Sequence, residues 1–428
     1  MIYSSCFSNI RKCCKSWKGI LRKKSIKQQK LPRRKCSSFH NDTKFIFSIA
    51  FIFGLFPVQN IFKTNILLIK TKLFSISYVY AFFMLAGFLI ITIYGVEHAI
   101  YNTTFQIGEI KQSTAPFLFY GCCTTASYCF IDIAKKWPHI IRKWSKIENE
   151  VSYIQPPSTN KGLAGLIMTL GLVEHLFHNW VNTKDGNLQE KSPIGCYLKT
   201  FCFKTHSFLV DEDSYRHWKG VLIVMFSFHG TLLWTFIDVF IILVTSGLKG
   251  QIHSWNKFAY KHVKVSNFHW RRFRKDYKII INFIKTTDKH INKIIGLSMI
   301  NFYFISTQLL EEVRTQHDKY SERVFFLFSL SFLLLRTMSS FMSSASVHDE
   351  WLKVSTPIHA CLSHTPEVDR LLAEVHSDNV AMSAFNMFHI TRAFIMTMCG
   401  VVLTYELLIL QTHEAENMAR LQNVTIPE

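Results

Sequence analysis

Several stretches of about 20 residues contain almost no ionisable side chain, and this feature constrains the fold more than any other. An apolar α-helix of that length crosses the hydrocarbon core of a bilayer. Charged residues make up 18% of the chain, whereas soluble domains usually contain about 25%. The chain is therefore predicted to be an all-α, multi-pass membrane protein.

Seven segments are predicted to span the membrane. The clearest is 75–96, which has no charged residue, and 221–248 has one, Asp238. The seven predicted spans are 75–96, 114–134, 162–180, 221–248, 294–310, 324–344 and 388–411. An earlier apolar stretch, 45–62, is interrupted by Gly54, Pro57 and Gln59, so it either crosses or lies at the membrane surface.

The distribution of positive charge orients these spans. If 45–62 does not cross, 36 of the 49 Lys and Arg residues fall on one side and 11 on the other. Positive loops remain in the cytosol, which predicts a cytosolic amino terminus and a carboxyl terminus on the other side of the membrane. We expect the plasma membrane, in which that side is extracellular. The Asn102 and Asn423 sequons then lie outside, where glycosylation occurs.

This topology divides the chain into seven parts. Basic residues dominate the amino-terminal arm and the longest cytosolic connection. The parts are a basic cytosolic arm with an apolar pre-span segment (1–74), spans one to four (75–248), a cytosolic helical anchor segment (249–293), spans five and six (294–344), a second anchor segment (345–387), a last span (388–411) and an extracellular tail (412–428).

Other classes of protein fit less well. The net charge of +20 follows from the cytosolic segments and does not indicate nucleic-acid binding, and 11 scattered Cys residues do not form a disulfide framework. Cys196 and Cys202 could pair in the longest outer loop or remain thiols. A G-protein-coupled receptor has the opposite orientation. No cofactor or metal motif is found, and no nucleophile accompanies His175, His178 or His229 at a catalytic spacing.

The last span carries a specific motif. Thr404 and Tyr405 are followed by five mostly apolar residues and Gln411. This resembles the signature of the insect gustatory receptors, in which the Gln precedes a Phe that is replaced here by Thr412. Residues 234–240, 270–277, 301–310, 336–337, 380–383 and 391–392 resemble the sugar-receptor branch, and the resemblance covers most of 160–411.

The resemblance implies a ligand-gated, non-selective cation channel opened by sugars. Such a channel is a tetramer of one or several kinds of subunit and conducts monovalent and divalent cations in the dendrite of a sensory neuron. The last spans line its pore, and the cytosolic ends of the last three spans form a shared anchor. Its expected partners are sugar, membrane lipid, the permeating cations and other gustatory receptors, with no nucleic acid.

The last span also has a polar stripe. Thr397, Thr404 and Gln411 recur every seven residues, a spacing that rotates only about 20° per step, and Leu408 lies near the same face. Such a stripe faces either neighbouring helices or water. The resemblance favours a pore, with Gln411 and Leu410 as the constriction, and Thr412 leaves the hydrophobic half of that gate open to question.

A sugar site requires polar groups beside aromatic walls. The candidate ligand-binding residues are Glu174, His178, His229, Trp234, Asp238, Asn301, Gln308 and Glu311. Purely structural roles remain open for some of them. Asp238 could form an ion pair with Arg336, and Glu174 and His178 could simply end a helix at the membrane interface. The basic 249–293 and acidic 345–387 segments either dock on each other or are solvated separately.

Two other functions remain as alternatives. A secondary transporter would use Asp238, Glu174 and Arg336 as a coupling relay and show saturable uptake. An auxiliary subunit would open only beside a partner receptor, which the replacement by Thr412 makes a serious alternative.

Overall fold

The computed structural model describes residues 39–105, 110–155, 160–184, 192–263, 268–314, 320–361 and 365–424. These residues are almost entirely helical, which confirms the all-α prediction. The helices are α1 (Phe39–Ile52), α2 (Ile76–Phe105), α3 (Ile110–Glu150), α4 (Lys161–Thr183), α5 (Pro193–Thr205), α6 (His217–His262), α7 (Trp270–Arg314), α8 (Tyr320–Leu352), α9 (Ser355–His359), α10 (Pro366–Ser377) and α11 (Arg392–Val424). A 3₁₀ turn (Ile66–Leu68) and two short strands, β1 (Ser383–Ala384) and β2 (Phe388–His389), complete them.

The apolar stretch 45–62 does not form a span. Helix α1 has 14 residues, fewer than the roughly 20 that a bilayer requires. The chain then turns at Gly54, which has a φ of 69° that residues with a Cβ rarely adopt. Phe56, Val58 and Ile61 beyond this turn are fully buried, and Gln59 pairs with Lys70 through the backbone. The segment is therefore packed back onto the helices.

Five of the seven predicted spans lie wholly within a helix; the first span is helical from Ile76 onward and the last from Arg392 onward. In the part of the chain that the structure describes, four helical segments are long and apolar enough to cross a membrane: Ile76–Tyr101, Pro116–Glu150, His217–His262 and Tyr320–His359. Helices α4 and α7 carry the third and fifth predicted spans. The helix of the last predicted span begins at Arg392 rather than at residue 388, because Phe388 and His389 form β2. The apolar part of this helix, Arg392–Tyr405, is short.

Helix α6 lies at the centre of the bundle. Its 46 residues correspond to about 69 Å, more than twice the thickness of the hydrocarbon core. It packs against α3, α4, α5, α7 and α8, and its residues from Leu232 to Leu248 are buried. Helices this long extend beyond the membrane, so α6 and α7 continue from their spans into the 249–293 anchor segment, whereas only the start of the 345–387 segment continues α8.

The two anchor segments contact each other through opposite charges. Arg274 of α7 donates to Glu374 and Glu367 of α10, and Lys285 of α7 pairs with Asp378 at 2.6 Å. The Arg274 guanidinium lowers the pKa of both glutamate carboxyl groups by donating hydrogen bonds to them. The docking alternative is therefore the one that this chain adopts.

A hairpin joins the anchor to the last helix. In it, β1 and β2 pair antiparallel, with Ser383 opposite His389. Phe385 and Asn386 at its turn both have positive φ values. Asp288 of α7 accepts hydrogen bonds from the backbone and side chain of Ser383, at 2.8 and 2.6 Å. Helix α7 thus holds the start of α11 in place.

Candidate ligand cavity

A cavity of about 440 Å³ lies between α3, α4, the end of α5, α6 and α8. Its walls combine aromatic rings with polar side chains from all five helices. The lining includes Phe119, Tyr120, Glu174, His175, His178, Asn182, Lys204, Thr205, His206, Ser227, Thr231, Trp234, Ser329, Phe332 and Arg336. Sites for small organic molecules have this composition and commonly measure about 300–1,000 Å³.

Glu174 provides a carboxylate on one side of the cavity. Its Oε1 accepts a hydrogen bond from the Ser329 hydroxyl at 2.8 Å, which links α4 to α8. A carboxylate has about four acceptor positions, and Ser329 occupies one of them. The others are available to hydroxyl groups of a ligand.

Arg336 and Trp234 form a second wall. The Arg336 guanidinium lies 5.6 Å from the Trp234 ring and 5.4 Å from the Phe332 ring, distances typical of cation–π contacts. The Trp234 ring stacks on Phe119 at 5.2 Å. These contacts fix two flat apolar surfaces beside a cation.

The same arginine is connected to a buried carboxylate. Its Nε lies 3.5 Å from Oδ2 of Asp238, and both side chains are almost fully buried. Asp238 also accepts hydrogen bonds from Ser298 of α7, at 2.7 Å, and from Ser340 of α8, at 3.1 Å. A buried charge pair of this kind needs such additional donors to offset the cost of its desolvation.

Helix α5 and the residues at its carboxyl end form a third wall of the cavity. Ser192 caps α5 by accepting from the Gly195 N–H, with Pro193 in the first turn, and His206 ends the helix. His206 and Tyr120 of α3 are joined by a hydrogen bond of 2.6 Å between Nε2 and the phenol oxygen. The predicted outer loop therefore folds back onto the helices and closes one end of the cavity.

The family model for trehalose receptors matches residues 16–421, almost the whole chain. The chain belongs to the trehalose receptor family. It is thus a multi-pass gustatory receptor of the sugar branch and not an enzyme, as the sequence predicted.

Named relatives agree with this assignment. The gustatory receptor 5a for trehalose of Drosophila melanogaster is 26% identical over 391 residues, 88% of this chain and 86% of that protein. The gustatory receptor for sugar taste 64f of the same species is 25% identical over 397 residues, 89% of this chain and 82% of that protein. The solved insect olfactory receptor OR5 of Machilis hrabei, in complex with eugenol, has the same fold, with a TM-score of 0.64 and 12% identity over 87% of this chain and 99% of that chain.

The receptor brings only some of the predicted ligand residues together. Glu174, His178 and Trp234 line the cavity, and Asp238 is connected to it through Arg336. His229 is buried elsewhere, against the rings of Tyr80 and Phe88.

The remaining predicted ligand residues are all on α7. Asn301 is buried outside the lining. The side chains of Gln308 and Glu311 lie outside the described residues. All of these assignments, like those in the cavity, stay predictions.

Several lining residues were not predicted from the sequence. Tyr120 and Ser329 are two of several polar side chains in apolar helices, and His206 lies in a predicted outer loop, so neither periodicity nor spacing distinguishes them. Arg336 had a sequence signal, because an intramembrane charge is a functional candidate by default, but it was interpreted as a partner of Asp238 or as part of a transporter relay and not as a ligand-binding residue.

The polar stripe of α11 faces away from the rest of the receptor. Ile395 and Val402 of this helix are buried, whereas Thr397, Thr404, Leu408 and Gln411 are exposed. An α-helix rotates by about 100° per residue, so these four exposed side chains all point within about 60° of the direction opposite to Val402. The side chain of Leu410 lies outside the described residues.

The predicted modifications are placed as follows. Asn102 lies near the end of α2 and Asn423 near the end of α11, and their side chains are outside the described residues. Cys202 is a free thiol, and it lies six positions after Cys196 on the same helix, a distance of about 9 Å that is too long for a disulfide. Within the described ranges, no group of three His, Cys, Asp or Glu residues could hold a metal ion.

Proposed function

We propose that the receptor is a subunit of a sugar-gated, non-selective cation channel and that the sugar binds in the cavity. The observation that carries the proposal is the combination of Glu174, Arg336 and Trp234 on the walls of one cavity. Sugars present many hydroxyl groups and apolar C–H faces. The carboxylate and guanidinium suit the hydroxyls, and the stacked Trp234 and Phe119 rings suit the C–H faces.

Arg336 has capacity for a ligand. Its Nη1 donates to Thr235 at 3.3 Å, while Nε has no hydrogen bond among the described residues despite its ion pair with Asp238. A buried donor without an acceptor costs roughly 1–3 kcal/mol. A sugar hydroxyl that accepts from this guanidinium recovers part of that cost, which favours binding.

A contiguous set of contacts joins the cavity to α11. Arg336 pairs with Asp238, and Asp238 accepts from Ser298 of α7. Helix α7 in turn holds the hairpin before α11 through Asp288 and Ser383. A sugar that contacts Arg336 therefore acts on a network whose other end positions the last helix.

The last helix supplies the pore in this proposal. The hydroxyls of Thr397 and Thr404 donate to carbonyl groups of their own helix, and their oxygens can still accept from water. One helix per subunit contributes one stripe, so a closed pore requires several subunits around an axis. We propose a tetramer, of one kind of subunit or of several gustatory receptors, in the dendritic membrane of a sensory neuron.

Sugar opens the channel by binding the open state more tightly than the closed state. A ligand shifts a conformational equilibrium only by its difference in affinity for the two states. A tenfold difference per subunit corresponds to about 1.4 kcal/mol, and four subunits would add to about 5.6 kcal/mol, enough to move a mostly closed channel to mostly open.

The test is to express the receptor and record currents with a panel that includes trehalose, other disaccharides, monosaccharides and polyols. We expect a sugar-evoked cation current. Glu174→Gln preserves shape and removes the charge, and it should raise the half-maximal sugar concentration about tenfold, because a hydrogen bond to a charged group contributes about 1.5–3 kcal/mol. Glu212→Gln makes the same change at an exposed position and should respond as wild type.

Two results would decide against this function. Saturable sugar uptake without conductance would indicate a transporter. Unchanged responses in Glu174→Gln, Trp234→Leu and Arg336→Gln, all with normal surface expression, would place the sugar outside the cavity.

An auxiliary role is the second candidate, and Thr412 is the observation that favours it. The gustatory signature has a Phe at this position, next to the predicted constriction. If the receptor gates only beside a partner, expression alone gives no current, co-expression with a second sugar receptor gives one, and Glu174→Gln shifts that shared response.

A further inference from the structure

The strongest feature outside the ligand cavity is a groove of about 750 Å³ between the end of α1 and the start of α2. One wall is apolar and consists of Phe51, Ile52, Phe74 and Ile76. The other contains Gln59, Lys72, Ser75, Ser77 and Tyr80. The groove therefore presents a hydrophobic surface beside a cation and several hydroxyl groups.

Its apolar wall is unusually exposed for a protein surface. Phe74 is 99% exposed, and Ile76 and Ile52 are also exposed. Large exposed apolar patches mark sites of interaction with membranes or other proteins. The patch continues along α2 through the exposed Val79 and Phe83, on the helix that provides the first predicted span. Continuity with that span indicates acyl chains as the covering material.

The segment that carries this exposed patch is fixed by core packing and hydrogen bonds. Leu55, Phe56, Val58, Ile61 and Ile69 are buried in the core and anchor it from beneath. The 3₁₀ turn is capped by Asn65, which accepts from the Leu67 N–H at 3.1 Å, and the Arg142 guanidinium donates to the Ile69 carbonyl at 3.0 Å. The exposed side chains are therefore held in place by a packed platform.

Among the described residues, the lysines at and near the groove have no counter-ion. Lys63, Lys70 and Lys72 form no ion pair with any residue in the described part of the chain. In the predicted topology this boundary faces the cytosol, where the leaflet contains anionic lipids. Lys72 lines the groove, and Lys63 and Lys70 lie on the segment that leads to it. This positive charge beside an exposed apolar wall complements a negatively charged headgroup attached to acyl chains.

We propose that this groove binds one anionic glycerophospholipid of the cytosolic leaflet. The phosphate contacts Lys72 and the hydroxyl groups of Ser75 and Ser77, and an acyl chain lies against Phe74, Ile76 and Ile52. The bound lipid fixes the level of the first span in the membrane. This site is independent of the sugar cavity, and it is retained whether or not the receptor conducts ions.

Native mass spectrometry of the purified full-length receptor tests the site, with phosphatidylserine and phosphatidylcholine of identical acyl chains as probes. The wild type should bind phosphatidylserine more tightly. Lys72→Gln should weaken the binding of phosphatidylserine about fivefold, the change that corresponds to about 1 kcal/mol per lysine at an anionic surface. It should weaken the binding of phosphatidylcholine less, because the choline group offsets the charge of the phosphate. Lys289→Gln, an exposed lysine of the anchor, should have no effect.

A second variant separates the acyl contribution from the charge. Phe74→Gln should weaken the binding of both lipids. Because Phe74 is exposed, the substitution removes no core packing. Soluble glycerophosphoserine, which lacks acyl chains, should compete only weakly. Equal affinity of the wild type for both lipids, no effect of Lys72→Gln, or full competition by glycerophosphoserine would each overturn the proposal.

Discussion

At the scale of single residues, the charged side chains of the predicted spans are the most informative. Asp238 and Arg336 are the charged residues of the fourth and sixth predicted spans, and they meet in the structure. The sequence pointed to this contact because a charge in hydrocarbon needs a partner. It could not show that Arg336 also borders a cavity, since that depends on how five helices pack.

Removal of one partner should be costly. Asp238→Ala leaves Arg336 buried without a counter-charge, and breaking such a pair typically costs about 3–5 kcal/mol. We expect a large fall in the melting temperature of the detergent-purified receptor, together with loss of sugar response. Asp238→Ala with Arg336→Met removes both charges and should recover most of the melting temperature but not the response.

Asp238→Asn is the matched control, because the amide oxygen can still accept from Ser298 and Ser340. It should be destabilised less than Asp238→Ala. A melting temperature of Asp238→Ala equal to that of the wild type would show that the ion pair does not hold the helices together.

At the scale of elements, the hairpin before α11 packs closely against α7. A Cβ at Gly296 of α7 would overlap the ring of Phe385, which adopts a positive φ that bulky residues rarely have. Strain of this kind persists where the surrounding structure holds it in place. The close approach of α7 makes the hairpin sensitive to small changes.

Gly296→Ala should therefore disturb the last helix. The methyl group displaces Phe385, and overpacking of this kind typically costs about 1–3 kcal/mol. We expect a shifted sugar dose–response or a changed basal current at normal surface expression. Gly165→Ala, a helical glycine with open space around it, should behave as wild type. An identical dose–response in both variants would separate the hairpin from gating.

The anchor contact depends on pH in a defined direction. Arg274 lowers the pKa of Glu374 and Glu367 by hydrogen bonding, so their ion pairs stabilise the fold above the carboxyl pKa of the unfolded chain, about 4.3. That contribution is lost as pH falls through the lowered values. Because these side chains are partly exposed, the contribution is modest.

Arg274→Gln should lower the melting temperature by a few degrees at pH 7, and the difference from the wild type should shrink below about pH 4. Arg271→Gln, an exposed arginine without an ion pair among the described residues, should show little difference at either pH. A difference for Arg274→Gln that persists unchanged at acidic pH would contradict the ion-pair explanation.

Helix positions were more predictable than helix ends. Long apolar runs predicted the spans because burial in hydrocarbon requires them. The turn at Gly54 and the late start of α11 at Arg392 depend on local packing, which composition does not encode. The inward return of α5 was missed for the same reason, and with it the contribution of His206 to the cavity.

At the scale of the whole molecule, α11 leaves its polar stripe exposed on the surface of one chain. Val402 is buried against the subunit, whereas Thr404 and Gln411 are exposed on the opposite side. Lipid is an unfavourable environment for such a stripe, whereas a water-filled axis shared by several copies is a favourable one. The family membership, the cavity and this stripe together favour a receptor that conducts.

The most direct test of the channel is chemical modification of Thr404→Cys during sugar-evoked current. A water-soluble, cationic methanethiosulfonate reagent should inhibit the current irreversibly and react faster when sugar is present, because the open pore admits the reagent. The wild type, which contains Cys399 on the same helix, and Leu403→Cys, about 100° away, should be unaffected. A sugar-evoked current that persists unchanged after treatment of Thr404→Cys would contradict a pore lined by this helix.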